Sequence, residues 1–160
     1  MTSAFFTLHQ GLIREGPGEA ADVAWAAEMA GLGRDARICD VACGPGADIP
    51  ALLQAAPEGK VTAVDAHKPF IEELNMRVGA DKRVVPYVGK MDKLKGPFDL
   101  IWCAGAVYFI GIEKALGAWR YALAKGGHVA FSEPCFFTDA PSQGARVLGQ
   151  RPGVDCEGHR

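Results

Sequence analysis

The sequence lacks an excess of charge of either sign. Its 17 lysines and arginines meet 19 aspartates and glutamates, for a formal net charge of -2. That balance argues against nucleic-acid binding through a broad basic face. It also lacks any apolar run near the roughly 18 residues that a membrane-spanning helix needs. No charged stretch followed by an apolar one marks the N-terminus for export. The five cysteines, Cys39, Cys43, Cys103, Cys135 and Cys156, include no Cys-x-x-Cys and have no closely spaced histidine pair beside them. A structural zinc site is therefore not expected. An odd cysteine count without a secretory signal implies reduced thiols in a cytoplasm. Internal repeats, heptads and low-complexity tracts are absent too.

What is present is the composition of one globular domain. The chain has 160 residues, of which 49% are hydrophobic and 22% charged. That length supports one ordinary core. Five short apolar runs read as strands: 37–42, 61–65, 84–88, 100–103 and 128–132. Helical patterns lie among them at 20–29, 49–56, 69–78 and 112–123. In the third of these, Phe70, Ile71, Leu74 and Val78 share a stripe opposite Glu72, Glu73 and Arg77. Lys125-Gly126-Gly127 reads as the stop of the last helix. Strand–helix alternation predicts a doubly wound, mostly parallel α/β sheet with helices on both faces. Residues 20–139 form the domain. Residues 1–19 make an N-terminal segment that would serve as a lid, and 140–160 an irregular tail.

The strongest chemical signal is Asp40-Val41-Ala42-Cys43-Gly44-Pro45-Gly46, a glycine-rich turn between the first strand and a helix. Gly44 would permit a tight turn, and Gly46 would let a ligand approach the backbone. The second signal is Asp65, which closes the next strand about 20 residues on, where a carboxylate can hold both hydroxyls of an adenosine ribose. The dinucleotide pattern asks for a third glycine, which is missing. Asp40 and Asp48 would repel a pyrophosphate. They suit S-adenosylmethionine, which carries an ammonium and a sulfonium but no phosphate. A nucleotide (NAD)-binding oxidoreductase domain is the alternative.

The sequence resembles the class I S-adenosylmethionine-dependent methyltransferases. Residues 40–46 look like their first motif and Val64-Asp65 like their second. Val88–Leu94 resembles the loop packed on the adenine, Phe98–Trp102 the fourth strand, and Leu123–Gly127 the turn before the fifth. Gly105–Gly111, with Arg14–Gly18, is similar to a bacterial subgroup acting on small molecules. The resemblance implies a Rossmann-like fold, S-adenosylmethionine as cofactor and a small-molecule acceptor. It implies that Asp40, Cys43, Gly44 and Gly46 seat the methionine end, and that Asp65 and Ala66 lie at the ribose. Met91 would flank the adenine, Cys103 or Ala104 would lie under the donor, and Arg14 would bind the methionine carboxylate. Lys90 stands where many relatives carry an acid that bonds the adenine amine.

Ligands in such sheets sit beyond the carboxyl ends of the strands. Tyr108, after the fourth strand, and Glu133, after the fifth, are therefore the catalytic candidates, Glu133 as a base. His67 reads first as a surface-loop histidine, with a place near the ribose as the alternative, and His9 first as exposed tail, with a place in the lid as the alternative. His128 begins the fifth strand at the opposite end and is set aside. Relatives continue with two more strands that this sequence lacks. The resemblance stops after Asp139, and a frameshift after Arg146 is one reading of that break. Two expectations follow: a catalytically impaired cofactor-binding fragment as an alternative function, and self-association, including a homodimer, through the exposed edge of the fifth strand.

Overall fold

The apolar strand runs place a five-stranded sheet at the centre of the computed structural model, which describes residues 11–14 and 16–135. The strands are β1 (Arg37–Val41), β2 (Lys60–Asp65), β3 (Val84–Val88), β4 (Phe98–Cys103) and β5 (Leu123–Phe131). Their order is β3-β2-β1-β4-β5. All pairings are parallel, with Ile38 opposite Val61 on one side and Leu100 on the other. The order in which strands are added reverses between β1 and β4, which opens a crevice at the carboxyl ends of the strands, where such sheets bind ligands. His9 and the tail 140–160, with its possible frameshift, lie outside the described residues, as does most of the expected lid.

Both faces of the sheet are covered, which is why β1 is buried at four of its five positions. Alternation along the strands sends Ile38, Val61, Ala63 and Leu100 to one face. There they pack with Val23 and Ala26 of α1 (Ala20–Met29), Ile49 and Leu52 of α2 (Ile49–Ala55), and Ile71 and Leu74 of α3 (Lys68–Val78). Cys39, Val41, Val64 and Ile101 go to the other face, against Val107, Ala115 and Trp119. Ala115 and Trp119 belong to α4 (Ile112–Trp119), and Val107 opens a short 3-10 turn, Val107–Phe109.

One boundary differs from the sequence reading. The last helix ends at Trp119, and β5 begins at Leu123 rather than at His128. Phe98 pairs with Leu123 and Leu100 with His128, so β5 carries extra residues between two close partners on β4. Gly126 and Gly127 are therefore a bulge inside a strand and not a helix stop. Gly126 has φ +79°, and a Cβ on Gly127 would stand 2.7 Å from the Phe98 carbonyl oxygen. A pair of glycines has the same local signature in both settings. His128 accordingly sits within the strand and not at its start.

Candidate functional site

The crevice is built by the loop from β1 to α2. Ala42 enters it with φ +55°, a left-handed conformation that costs a non-glycine residue about 1–2 kcal/mol. The neighbouring strands hold that strained turn. Cys43 N–H donates to the Val64 carbonyl at 3.1 Å, and Gly46 N–H to the Cys43 carbonyl at 2.9 Å. The Asp65 carboxylate accepts from Gly44 N–H at 3.0 Å and from His67 N–H at 2.7 Å. Gly89 N–H, just after β3, donates to the Asp65 carbonyl at 2.9 Å. One residue thus ties together the carboxyl ends of three strands. Asp65 is half-buried, and burial raises its pKa against these N–H contacts.

Beside this loop is a small cavity of about 40 Å³, bounded by Arg14, Pro17, Asp40, Cys43, Gly44 and Ala104, among others. Asp40 follows Ile38 by two residues and is 3% exposed. Its Oδ2 atom is buried without a hydrogen-bond partner. Burial, then the charges of Asp48 and Asp65, push its carboxyl well above the usual range. An orphaned buried carboxylate oxygen is costly and calls for a donor or a cation.

Asp48 is placed differently from the sequence expectation. Its Oδ1 pairs with the Arg14 guanidinium, and its Oδ2 accepts the Trp102 indole N–H at 2.9 Å. Its charge is matched within the protein, so it is a weak argument against a pyrophosphate; Asp40 carries that argument alone. Arg14 does reach the cavity, but its guanidinium is engaged by Asp48. Sequence reasoning missed this chain of contacts. The available signal was Trp102, an indole N–H inside a buried strand, which needs an acceptor.

The other expected residues divide. Gly46 does not line the cavity. Its φ is +88°, and a Cβ there would run into Leu74 Cδ1 and stand 3.2 Å from Ile49 Cγ1. This glycine packs closely against α2 and α3. Cys103 is fully buried in the core on the α4 side, with its thiol pushed up to about 12, chiefly by burial. Ala104 is the one of the two that faces the cavity. Met91 is half-buried, and its carbonyl accepts the Trp119 indole N–H at 2.6 Å, which anchors the loop after β3. Ala66 is exposed beside Asp65. His67 packs edge-on against Phe70, with ring centroids 4.7 Å apart, at the start of α3.

Tyr108 and Glu133 come together: the Tyr108 backbone N–H donates to the Glu133 carboxylate. Glu133 Oε2 is buried without a partner, and burial raises its pKa. The Tyr108 ring packs on Phe109 at 4.3 Å. Arg77 is a residue that the sequence did not flag. Its Nη1 reaches the carbonyls of Pro45, at 3.1 Å, and Ile13, at 3.5 Å. It joins the N-terminal segment and the glycine loop to α3.

A parallel sheet with a glycine loop after β1 and an acid closing β2 fits several cofactor classes. Comparison of the sequence with known families decides among them. The family described as a methyltransferase domain matches residues 38–127, more than half of the chain. The chain belongs to the methyltransferase domain family. No curated protein matches it. Solved structures share the fold of this methyltransferase domain. An S-adenosylmethionine-dependent methyltransferase from Geobacter sulfurreducens, in complex with S-adenosylhomocysteine, superposes with a TM-score of 0.75 at 17% identity, covering 92% of this chain and 61% of that one. A Thiobacillus denitrificans methyltransferase, also with S-adenosylhomocysteine, gives 0.74 at 19% identity with the same coverages. YjhP from E. coli gives 0.68 at 18%, covering 79% and 54%. At these identities the likeness is one of fold. The chain spans little more than half the length of these relatives. The fold class and the methyltransferase family expected from the sequence both stand.

Proposed function

We propose that this methyltransferase domain binds S-adenosylmethionine and serves methyl transfer to a small-molecule acceptor. One observation carries the reading of the cofactor. The partnerless, buried Asp40 oxygen faces a cavity at the glycine loop, next to Asp65. A ligand with an ammonium and a vicinal diol fits that pair; a pyrophosphate does not.

In this reading Asp40 receives the ammonium and becomes ionised as it does so. Asp65 holds both ribose hydroxyls through lone pairs left free by Gly44 and His67. Arg14, held by Asp48 at the cavity wall, offers its remaining N–H groups to the carboxylate. Ala104 leaves room at the floor, and Met91 packs on the adenine. When bound, the cofactor supplies an activated methyl group on a sulfonium, so positioning does most of the work. Glu133 lies at the same end of the sheet as Asp65. Its raised pKa suits it to take a proton from an acceptor hydroxyl or amine. The balanced charge of the chain favours a small acceptor over nucleic acid. No helix among the described residues is long and apolar enough to cross a membrane. The buried thiols Cys39 and Cys103 suit a reducing compartment, and we place the domain in the cytoplasm on that ground.

Calorimetry with S-adenosylhomocysteine and with NAD tests the cofactor. Binding of the first and not the second is expected, and the reverse result would overturn the reading. Turnover of a labelled methyl donor with candidate acceptors tests Glu133, because Glu133→Gln should retain cofactor binding and lose methyl transfer.

A further inference from the structure

Asp48 breaks a local rule. It stands at the N-cap of α2, where an aspartate ordinarily turns its carboxylate onto the N–H groups of its own first turn. Here it makes no such bond. Its backbone is already helical, with φ -88° and ψ -11°, and Pro50 withholds one of the N–H groups it would have met. Both oxygens are spent on distant residues instead. Oδ1 accepts from Arg14 Nη2, and Oδ2 from the Trp102 indole N–H at 2.9 Å. Trp102 is buried in β4, so its donor is fixed, and Asp48 is itself only 6% exposed. An aspartate that gives up its own helix to hold an arginine implies a task for that arginine.

The neighbouring carboxyl shows what the task is. Arg14 and Asp40 bound the same cavity of about 40 Å³. They are close enough that the Arg14 charge draws the Asp40 carboxyl down against its burial. Yet Asp40 Oδ2 is buried without a hydrogen-bond partner. A guanidinium free to move would close on that oxygen, because an unpaired buried carboxylate is costly and a charged donor beside it relieves the cost. Arg14 does not do so, being already bonded to Asp48.

We propose that Asp48 is a positioning residue, which holds Arg14 off Asp40 and so keeps the ammonium seat open, a role that rests on the cofactor reading above. Without it the cavity would neutralise itself, Arg14 on Asp40, and an incoming ammonium would first have to displace the guanidinium. With it the cavity presents an anion and a cation side by side, each available to a ligand. That pair suits the zwitterionic end of an amino acid, its ammonium on Asp40 and its carboxylate on Arg14. Asp48 acts through Arg14 and makes no bond of its own to the ligand.

Calorimetry with two ligands tests the proposal. One is S-adenosylhomocysteine. The other is its decarboxylated analogue, which keeps the ammonium, thioether and ribose but gives Arg14 nothing to bind. Asp48→Asn keeps an acceptor for Trp102 and frees Arg14. It should weaken the analogue about tenfold, as expected where a hydrogen bond to a charged group must first be broken. Adding Arg14→Gln should restore the analogue to within about twofold of the unaltered chain, because the seat is open again. A merely structural Asp48 would not be rescued by this second loss. Thermal unfolding reports whether Asp48→Asn folds. If it does not, Trp102→Phe decides, since it leaves both charges in place and frees Asp48 to turn. That variant should weaken the analogue about threefold, again relieved by Arg14→Gln. If the unaltered chain binds S-adenosylhomocysteine, an unchanged analogue affinity, or a loss that Arg14→Gln does not relieve, would overturn the proposal and leave the cofactor reading intact. An unaltered chain that binds neither ligand would overturn the cofactor reading and the proposal with it.

Discussion

Among the described residues, the crevice above β1 and β2 and the flank beside β5 both contain groups without partners, but of different kinds. In the crevice the unmatched groups are buried carboxyl oxygens, that of Asp40 on β1 beside the glycine loop and that of Glu133 after β5. On the flank they are a row of backbone amides beside an open apolar groove, bordered by the exposed Trp25 and Met29 of α1. A single orphaned charge in a small cavity selects a small cation. Outward backbone amides beside an apolar strip offer an extended surface and no charge. The same bookkeeping of unmet hydrogen bonds separates a ligand site from a strand edge.

The largest test of this contrast is Gly46→Val. Its side chain would collide with Leu74 and demand a left-handed backbone from a β-branched residue. Thermal unfolding should show a loss of about 3 kcal/mol or more. A fold of unchanged stability that has lost only its ligand would show instead that Gly46 touches the cofactor. Next is Asp65→Ala, expected to weaken S-adenosylhomocysteine by about 2–3 kcal/mol, as for hydrogen bonds to a charged group. Because Gly44 and His67 donate to the same carboxylate, it should also destabilise the ligand-free protein.

Asp40→Asn should move the two quantities in opposite directions. It removes the cost of keeping a buried carboxyl protonated and so stabilises the ligand-free domain, but weakens the cofactor by about 2 kcal/mol. The pH dependence has a definite sign. The Asp40 pKa is raised in the folded state, so its contribution to stability is full below the ordinary carboxylate pKa and is lost as pH rises through the raised one. A cationic ligand favours the ionised form, so binding should release a proton and tighten as pH rises through that range. Titration in two buffers of different ionisation enthalpy would detect the proton. Ala42→Gly relieves the strained turn and should stabilise by less than about 1 kcal/mol. Smallest of all, Trp25→Ala should change stability by no more than about 0.5 kcal/mol, because the side chain is mostly exposed.

The strands, the glycine loop and Asp65 were legible because each has a local pattern: a short apolar run, a glycine-rich turn, an acid closing a strand. The bulge in β5 was not, since Lys125-Gly126-Gly127 has the composition of a helix stop and only the pairing with Phe98 and Leu100 shows otherwise. At Gly46 the structure adds what the sequence does not state, namely that a Cβ would meet Leu74 and Ile49. A sequence says that a Cβ is unwelcome, not which atom it would meet. The pairing of Arg14, Asp48 and Trp102 joins positions 34 and 54 residues apart, and no local pattern announces it. Cys103 and Ala104 are adjacent, and strand alternation alone decides which of them faces the cavity.

The three tryptophans differ in exposure and bonding: Trp25 is exposed at the open groove, Trp102 is buried in the wall of the same groove with its indole N–H on Asp48, and Trp119 is wholly enclosed on α4's side of the sheet. The molecule therefore carries its own optical reporters. Trp25 emits from a wet surface and would shift to the blue when covered. Trp102 would respond to any change in its carboxylate partner. Trp119 would stay constant until the fold itself opens. Three single-tryptophan variants, each with the other two replaced by phenylalanine, would let changes at the open groove, ligand entry and unfolding be followed separately by their light alone.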